Sequence, residues 1–169
     1  MEHSTGNPEF DQLLAKSKGQ YQTTRKLLQK AKKVKPGKLD TMFHNAHDET
    51  FAEVDCLTCA NCCKTTSPIF REKDIDRLSS HLKMKSSAFI DTYLKKDTDG
   101  LWMLQSSPCA FLGDDNYCSV YSARPGACRD YPHTDRKNMH QITALTARNT
   151  LVCPAVHLIV EKIRKGLQR

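Results

Sequence analysis

Apolar side chains recur at helical spacing near both ends of the chain and predict three long helices there. Within residues 9–35 and again within residues 39–54, apolar positions return every three or four residues, the period of a helix with one buried face. Pro36-Gly37 separates these two stretches. A third amphipathic pattern begins at Pro154, and proline suits the first position of a helix. We expect the first two helices to pair with each other and to pack against the rest of the chain.

Shorter patterns fill the middle of the chain. Helical spacing predicts short helices over residues 71–83 and 86–94, and the apolar residues 101–104 predict a short strand. Arg124-Pro125 predicts the start of a helical turn that ends before Pro132.

A β-hairpin is predicted around the polar residues 113–116, with Leu112 paired to Tyr117. In that register Cys109 and Cys118 share one face of the hairpin. Both thiols could then reach a common ion.

The composition predicts a thin hydrophobic core. Leu, Ile, Val and Phe account for only about one fifth of the 169 residues, close to the level at which a chain struggles to bury enough apolar surface. We therefore predict an α+β fold, a small and mostly helical domain with a short β-hairpin, stapled by cysteine-ligated metal. We expect residues 1–54 to form an N-terminal helical pair with a basic segment and residues 55–169 to form a cysteine-cluster metal-binding body, the two packed together as one compact domain.

The net charge of +7 is concentrated near the N-terminus. Residues 16–38 contain nine basic side chains and no acidic one. Such a run is compatible with a polyanion site, but we expect a solvated helix face and no nucleic-acid partner. No apolar stretch approaches the roughly 18 residues that span a bilayer, and residues 1–18 contain no signal-peptide core, so we expect a cytoplasmic protein with no membrane contact.

Eight cysteines are the strongest chemical signal. In a reducing compartment they are expected to be metal ligands rather than disulfides. Four lie within eight residues and four follow at wide spacing: Cys56, Cys59, Cys62, Cys63, Cys109, Cys118, Cys128 and Cys153.

The spacing divides the thiols into two candidate sites. Cys56-x2-Cys59-x2-Cys62 has the spacing of bacterial ferredoxin runs, and Cys153-Pro154 supplies a remote fourth ligand for a [4Fe–4S] cluster. The cysteines left over would suit a tetrahedral zinc site: Cys63, Cys109, Cys118 and Cys128. Two zinc ions, one zinc with one cluster, and one cluster with spare thiols are all compatible with this sequence.

An ordered set of motifs around these cysteines resembles a known family. The set runs from Cys56-x2-Cys59-x2-Cys62-Cys63 through Pro108-Cys109-x-Phe111-Leu112 to Cys118-x-Val120-Tyr121-x2-Arg124-Pro125-x2-Cys128-Arg129-x-Tyr131-Pro132. It is similar to the CxxCxxCC (YkgJ-like) cysteine-cluster family. The resemblance implies a soluble, mostly bacterial domain that chelates zinc or iron, and one branch, the flagellin lysine N-methylases, is thought to hold an iron–sulfur cluster.

Two arginines within the same motifs are candidate cofactor-binding residues. Thiolates on zinc or on an iron–sulfur cluster leave a net negative charge, which Arg124 and Arg129 could neutralise. The opposite interpretation, surface ion pairs with nearby aspartates, is equally compatible with the spacing.

We therefore expect a cysteine-ligated metal-binding protein with a structural or electron-transferring role. The alternative is a protein-modifying enzyme or its accessory, related to the methylase branch, with a protein partner or substrate. The isolated glycines supply no Gly-x-Gly loop for a nucleotide or methyl donor, which disfavours that alternative.

Overall fold

Eight α-helices and one two-stranded sheet form the secondary structure of residues 4–168, the part of the chain that this computed structural model describes. Residues 1–3 and 169 of the predicted ranges lie outside it. The mostly helical α+β class is confirmed. The described chain divides into two units, which we call the helical unit (residues 4–59 and 132–168) and the central unit (residues 60–131). The predicted domain boundary between residues 54 and 55 stays a prediction.

The helical unit contains the three long predicted helices and one further short helix. They are α1 (Pro8–Ala31), α2 (Pro36–Phe51), α7 (Thr143–Asn149) and α8 (Pro154–Leu167). The side chain of Asn7 caps α1 by accepting the N–H of Glu9 at 2.9 Å, which satisfies one of the free donors of the first turn. None of the described helices is both long and apolar enough to span a bilayer.

The packing of α1 and α2 differs from the expected pair. α2 packs mainly on α8, and α1 packs equally on α7 and α8, so α8 is buried on several sides. Pro36 and Gly37 also begin α2 instead of lying between two helices. The shared core is aliphatic apart from one ring, and its fully buried members include Leu28, Leu39, Phe43, Met139, Val156, Ile159 and Ile163.

The central unit is built from shorter elements. They are α3 (Asn61–Thr65), α4 (Glu72–His81), α5 (Ser86–Tyr93), α6 (Gly126–Asp130), β1 (Leu94–Lys96) and β2 (Trp102–Leu104). β1 and β2 pair antiparallel, with Leu94 opposite Leu104, and Phe70 bridges to Trp102 on the other side of β2. The core of this unit is rich in rings: Phe111 stacks on Phe89 at 6.1 Å and lies 4.9 Å from Tyr93.

The hairpin predicted around residues 113–116 is wrong in extent and register. Only one bridge forms there, and it joins Leu112 to Cys118 rather than to Tyr117. Asn116 adopts the left-handed conformation, with φ 66°, and the Asp115 side chain accepts the N–H of Tyr117 at 2.9 Å. Tyr117 is therefore part of this tight turn and does not pair with Leu112 as predicted. The two-stranded hairpin of the fold is formed by β1 and β2 instead.

Candidate metal centre

Five of the eight thiols lie in the central unit, on four separate segments. Cys62 and Cys63 are on α3, Cys109 precedes the single bridge, Cys118 is in it, and Cys128 is on α6. Side chains from segments this far apart in sequence meet only if the backbone holds the segments together.

Backbone hydrogen bonds and aromatic packing hold three of these segments in place. The N–H of Cys109 donates to the C=O of Cys63 at 2.8 Å, which ties the 109 segment to α3. The N–H of Ser119 donates to the C=O of Phe111 at 2.8 Å, which ties the 118 segment to the 109 segment. Cys109 and Cys118 also pack against the ring-rich core that contains Phe111.

Burial keeps three thiols of this set protonated at neutral pH. It raises the pKa of Cys109 to about 11 and that of Cys128 to about 12, and it raises the pKa of Cys118 as well. A negative charge on Cys63 raises all three further. The four thiols Cys63, Cys109, Cys118 and Cys128 are therefore close enough to act on one another electrostatically.

Cys63 differs from the other three. The hydrogen bond with Cys62, whose Sγ lies 4.0 Å from Sγ of Cys63, lowers the pKa of Cys63 to about 7. Burial opposes this effect, and the positive charges of Arg124 and Lys64 add to it. Cys63 is thus the thiol of the set that ionises most readily.

The Arg124 side chain supplies a positive charge to this cluster. Its charge lowers the pKa of Cys63 and opposes the rise at Cys118 and Cys128. The guanidinium stacks on the ring of Tyr121, with its carbon 3.7 Å from the ring centre. Its Nε is buried and has no hydrogen-bond partner among the described residues. A buried N–H donor beside thiols is the group that an anionic metal centre would use.

The other three thiols lie in the helical unit. Cys56 begins a short 3₁₀ turn (Cys56–Thr58) after α2, Cys59 follows it, and Cys153 is the residue before α8. Burial raises the pKa of Cys153 to about 12, and charges on Cys56 and Cys59 raise it further. These three thiols therefore form a second group of electrostatic neighbours.

One comparison with known proteins identifies the family. Residues 55–153, a stretch that includes all eight cysteines, match the model of the CxxCxxCC family, whose description is "Putative zinc- or iron-chelating domain". The chain belongs to the CxxCxxCC family. No match was found among curated proteins or among solved structures. The matched residues of this CxxCxxCC domain leave out α1, α2 and α8.

The donor set fits the metals named for the CxxCxxCC family. Four sulfur ligands suit both tetrahedral zinc and iron–sulfur centres. None of the eight cysteines, all within the described residues, is in a disulfide. Among residues 4–168, no group of three His, Cys, Asp or Glu side chains is already arranged tightly enough to hold an ion.

Two of the predicted site residues are placed differently from the rest. Cys62 lies beside Cys63 in the central unit, and its predicted assignment to the Cys56 and Cys59 site rests on sequence spacing alone. Arg129 is exposed on α6, whereas Arg124 is half-buried and acts on the thiols. The predicted cofactor role of Arg129 stays a prediction.

Sequence reasoning missed two residues of α4 that contact the Arg124 segment. Asp74 and Arg77 together bond to the backbone of Ala123, Arg124 and Gly126. In sequence, an acidic residue three positions before an arginine on a helix is a common pattern of exposed helix surfaces. The contact is long-range, so nothing in the local sequence distinguishes this pair.

Proposed function

We propose that the central unit of this CxxCxxCC domain binds one metal ion, zinc or iron, through four thiolates, and that the ion has a structural role. The ligands are Cys63, Cys109, Cys118 and Cys128. The observation that supports this most directly is the convergence of these four half-buried thiols, which come from four separate segments and are close enough to act on one another electrostatically.

The balance of charge supports the same proposal. Four thiolates and one divalent ion carry a net charge of about −2, which is costly to bury without compensation. Arg124 offers a cation and an unused N–H at the cluster. Lys64, one residue after Cys63, adds a second positive charge. When bound, the metal supplies strong bonds between segments and no redox step is needed for this role.

A structural role fits the architecture of the central unit. Its helices are five to ten residues long and its strands three, and isolated helices of that length are unstable in water. A metal bonded to α3, the 109 segment, the 118 segment and α6 would link these four short segments directly. Metal binding would then contribute directly to the free energy of folding.

For the helical unit we propose a second metal centre with Cys56, Cys59 and Cys153 among its ligands. The two-residue spacing between Cys56 and Cys59 and the proline after Cys153 favour an iron–sulfur cluster of the [4Fe–4S] type. Both centres need reduced thiols, and we infer a reducing compartment, the cytoplasm, for the protein.

Metal and sulfide analysis of variants tests the proposal. The protein is purified without oxygen, and zinc, iron and acid-labile sulfide are measured per chain for the wild type, Cys118→Ser and Cys153→Ser. We expect Cys118→Ser to lose the metal of the central unit, and Cys153→Ser to keep it while losing iron and sulfide. Equal metal content in the wild type and Cys118→Ser would refute the central-unit site. A protein without sulfide would refute the iron–sulfur cluster and leave zinc or iron alone.

A further inference from the structure

An ion pair between the buried Asp74 and the half-buried Arg77 lies outside the thiol cluster of the central unit. Asp74, on α4, is 1% exposed, and its Oδ1 lies 2.7 Å from Nη2 of Arg77 on the same helix. Burial would raise the pKa of Asp74, but the hydrogen bonds from Arg77 and from the N–H groups of Arg71 and Gly126 hold that pKa below its ordinary value. Asp74 is therefore an ionised, buried carboxylate. Its oxygens accept hydrogen bonds from Arg77 and from the N–H groups of Arg71 and Gly126.

This ion pair forms hydrogen bonds with the backbone of the segment that leads into α6. Arg77 donates from Nε to the C=O of Ala123 at 3.1 Å and from Nη2 to the C=O of Arg124 at 2.9 Å. Oδ1 of Asp74 accepts the N–H of Gly126 at 3.1 Å. Three backbone groups within four residues are thus fixed to α4.

The segment bonded to α4 precedes or contains two side chains of the proposed centre, Arg124 and Cys128. Arg124 presents its guanidinium to the thiols from this segment, and Cys128 lies two residues beyond Gly126. The N–H of Cys128 donates to the C=O of Pro125 at 3.0 Å, so the position of the α6 turn follows that of Pro125. A shift of the segment would move the Arg124 cation and the Cys128 thiol together.

We propose that Asp74 and Arg77 are positioning residues for the metal centre, which hold Arg124 and Cys128 in place against α4. They touch neither the thiols nor the metal, and they act through the backbone of residues 123–126. This inference rests on the proposed function, and it adds that the centre depends on an ion pair outside the cysteine motifs.

Metal affinity measured on three single variants tests the inference. Arg77→Lys keeps the charge but loses the planar fork that reaches two carbonyl groups. Asp74→Asn keeps the shape but loses the charge. Asp76→Asn is the matched control, because Asp76 lies on the same helix and its carboxylate accepts the hydroxyl of the half-buried Ser86 at 3.0 Å instead of bonding to residues 123–126. Zn²⁺ affinity is measured by competition with a coloured chelator. We expect a loss of about 10- to 100-fold for Arg77→Lys and Asp74→Asn, and less than about threefold for Asp76→Asn.

Thiol accessibility separates positioning from general destabilisation. The zinc-loaded variants are treated with an alkylating reagent, and the modified cysteines are located by mass spectrometry. In Arg77→Lys we expect Cys128 to be modified first, while Cys63 and Cys109 stay protected. Uniform modification of all three thiols, or unchanged zinc affinity in a folded Arg77→Lys and Asp74→Asn, would overturn the inference. Failure of the wild type itself to bind either Zn²⁺ or Fe²⁺ would refute the proposed function instead.

Discussion

The two units of this protein bury their side chains in different ways. The helical unit packs long helices of up to 24 residues around α8, and its core is almost entirely aliphatic. The central unit has helices of ten residues or fewer, a core of rings, and five of the eight cysteines. Long amphipathic helices can be stabilised by apolar packing. Short elements joined by loops bury less apolar surface each, so a metal that links them contributes a larger share of their stability.

The family match covers the whole central unit and part of the helical unit, including α7. The matched residues contain every cysteine, whereas α1, α2 and α8 lie outside the match. These three outlying helices supply most of the buried members of the aliphatic core of the helical unit.

Loss of one central ligand should have the largest effect. We expect Cys118→Ser to remove the metal of the central unit and to lower its stability by more than about 5 kcal/mol, since structural zinc contributes about 10–16 kcal/mol to folding in small zinc domains. Hydrogen exchange should show lost protection in residues 60–131 and retained protection in α1 and α2. An equal loss of protection in both units would show that they do not differ in their dependence on metal.

The pH dependence of metal binding should be steep. Without metal, Cys109, Cys118 and Cys128 are protonated at neutral pH because burial raises the pKa of each thiol. Binding therefore releases three protons, and we expect zinc affinity to fall about a thousandfold, or about 4 kcal/mol, from pH 8 to pH 7. Isothermal titration across this range in several buffers measures the proton release. Release of less than one proton would show that the thiols are not the ligands.

The same thiols give the metal-free protein the opposite pH dependence. A thiol whose pKa is raised by folding adds stability that is present below its unfolded value of about 8.5. That stability is lost as the pH rises toward the folded values of about 11 for Cys109 and about 12 for Cys128. Urea unfolding of the metal-free protein should therefore show falling stability from pH 8.5 upward.

A cavity in the helical unit should lower its stability without affecting the metal of the central unit. Leu39 is fully buried in the aliphatic core, and we expect Leu39→Ala to lower the free energy of unfolding by about 3 kcal/mol. The zinc affinity of the central unit should stay within a factor of two of the wild-type value. Leu78→Ala, at an equally buried position of the central unit, is the matched variant, and we expect it to weaken zinc binding. Identical effects of the two variants on metal would remove the distinction between the units.

The smallest expected effect concerns the arginine at the thiol cluster. We expect Arg124→Gln to weaken zinc binding about tenfold, because it removes a cation that lowers the pKa of Cys63. Alkylation of metal-free Cys63 should also require a higher pH. Arg129→Gln, at an exposed position of α6, is the control and should change neither value. A larger effect for Arg129→Gln would reverse the roles assigned to the two arginines.

The sequence predicted the long helices well because helical periodicity and proline positions are local signals. Residues 9–35, 39–54 and those after Pro154 are all helical over most of their length. It failed at the 113–116 turn, where the left-handed Asn116 and the Asp115 side chain replace the predicted ladder. The spacing of residues in the sequence also could not reveal the hydrogen bonds of Asp74 and Arg77 with residues 123–126, because those contacts join segments about 50 residues apart.

X-ray absorption spectroscopy of the protein loaded with one equivalent of zinc tests the proposed site of the central unit most directly. We expect this first equivalent to enter the central unit and to be bound by four sulfur atoms at about 2.3 Å. Nitrogen or oxygen atoms in the first coordination shell, or fewer than four sulfur atoms, would contradict the four-thiolate site of Cys63, Cys109, Cys118 and Cys128.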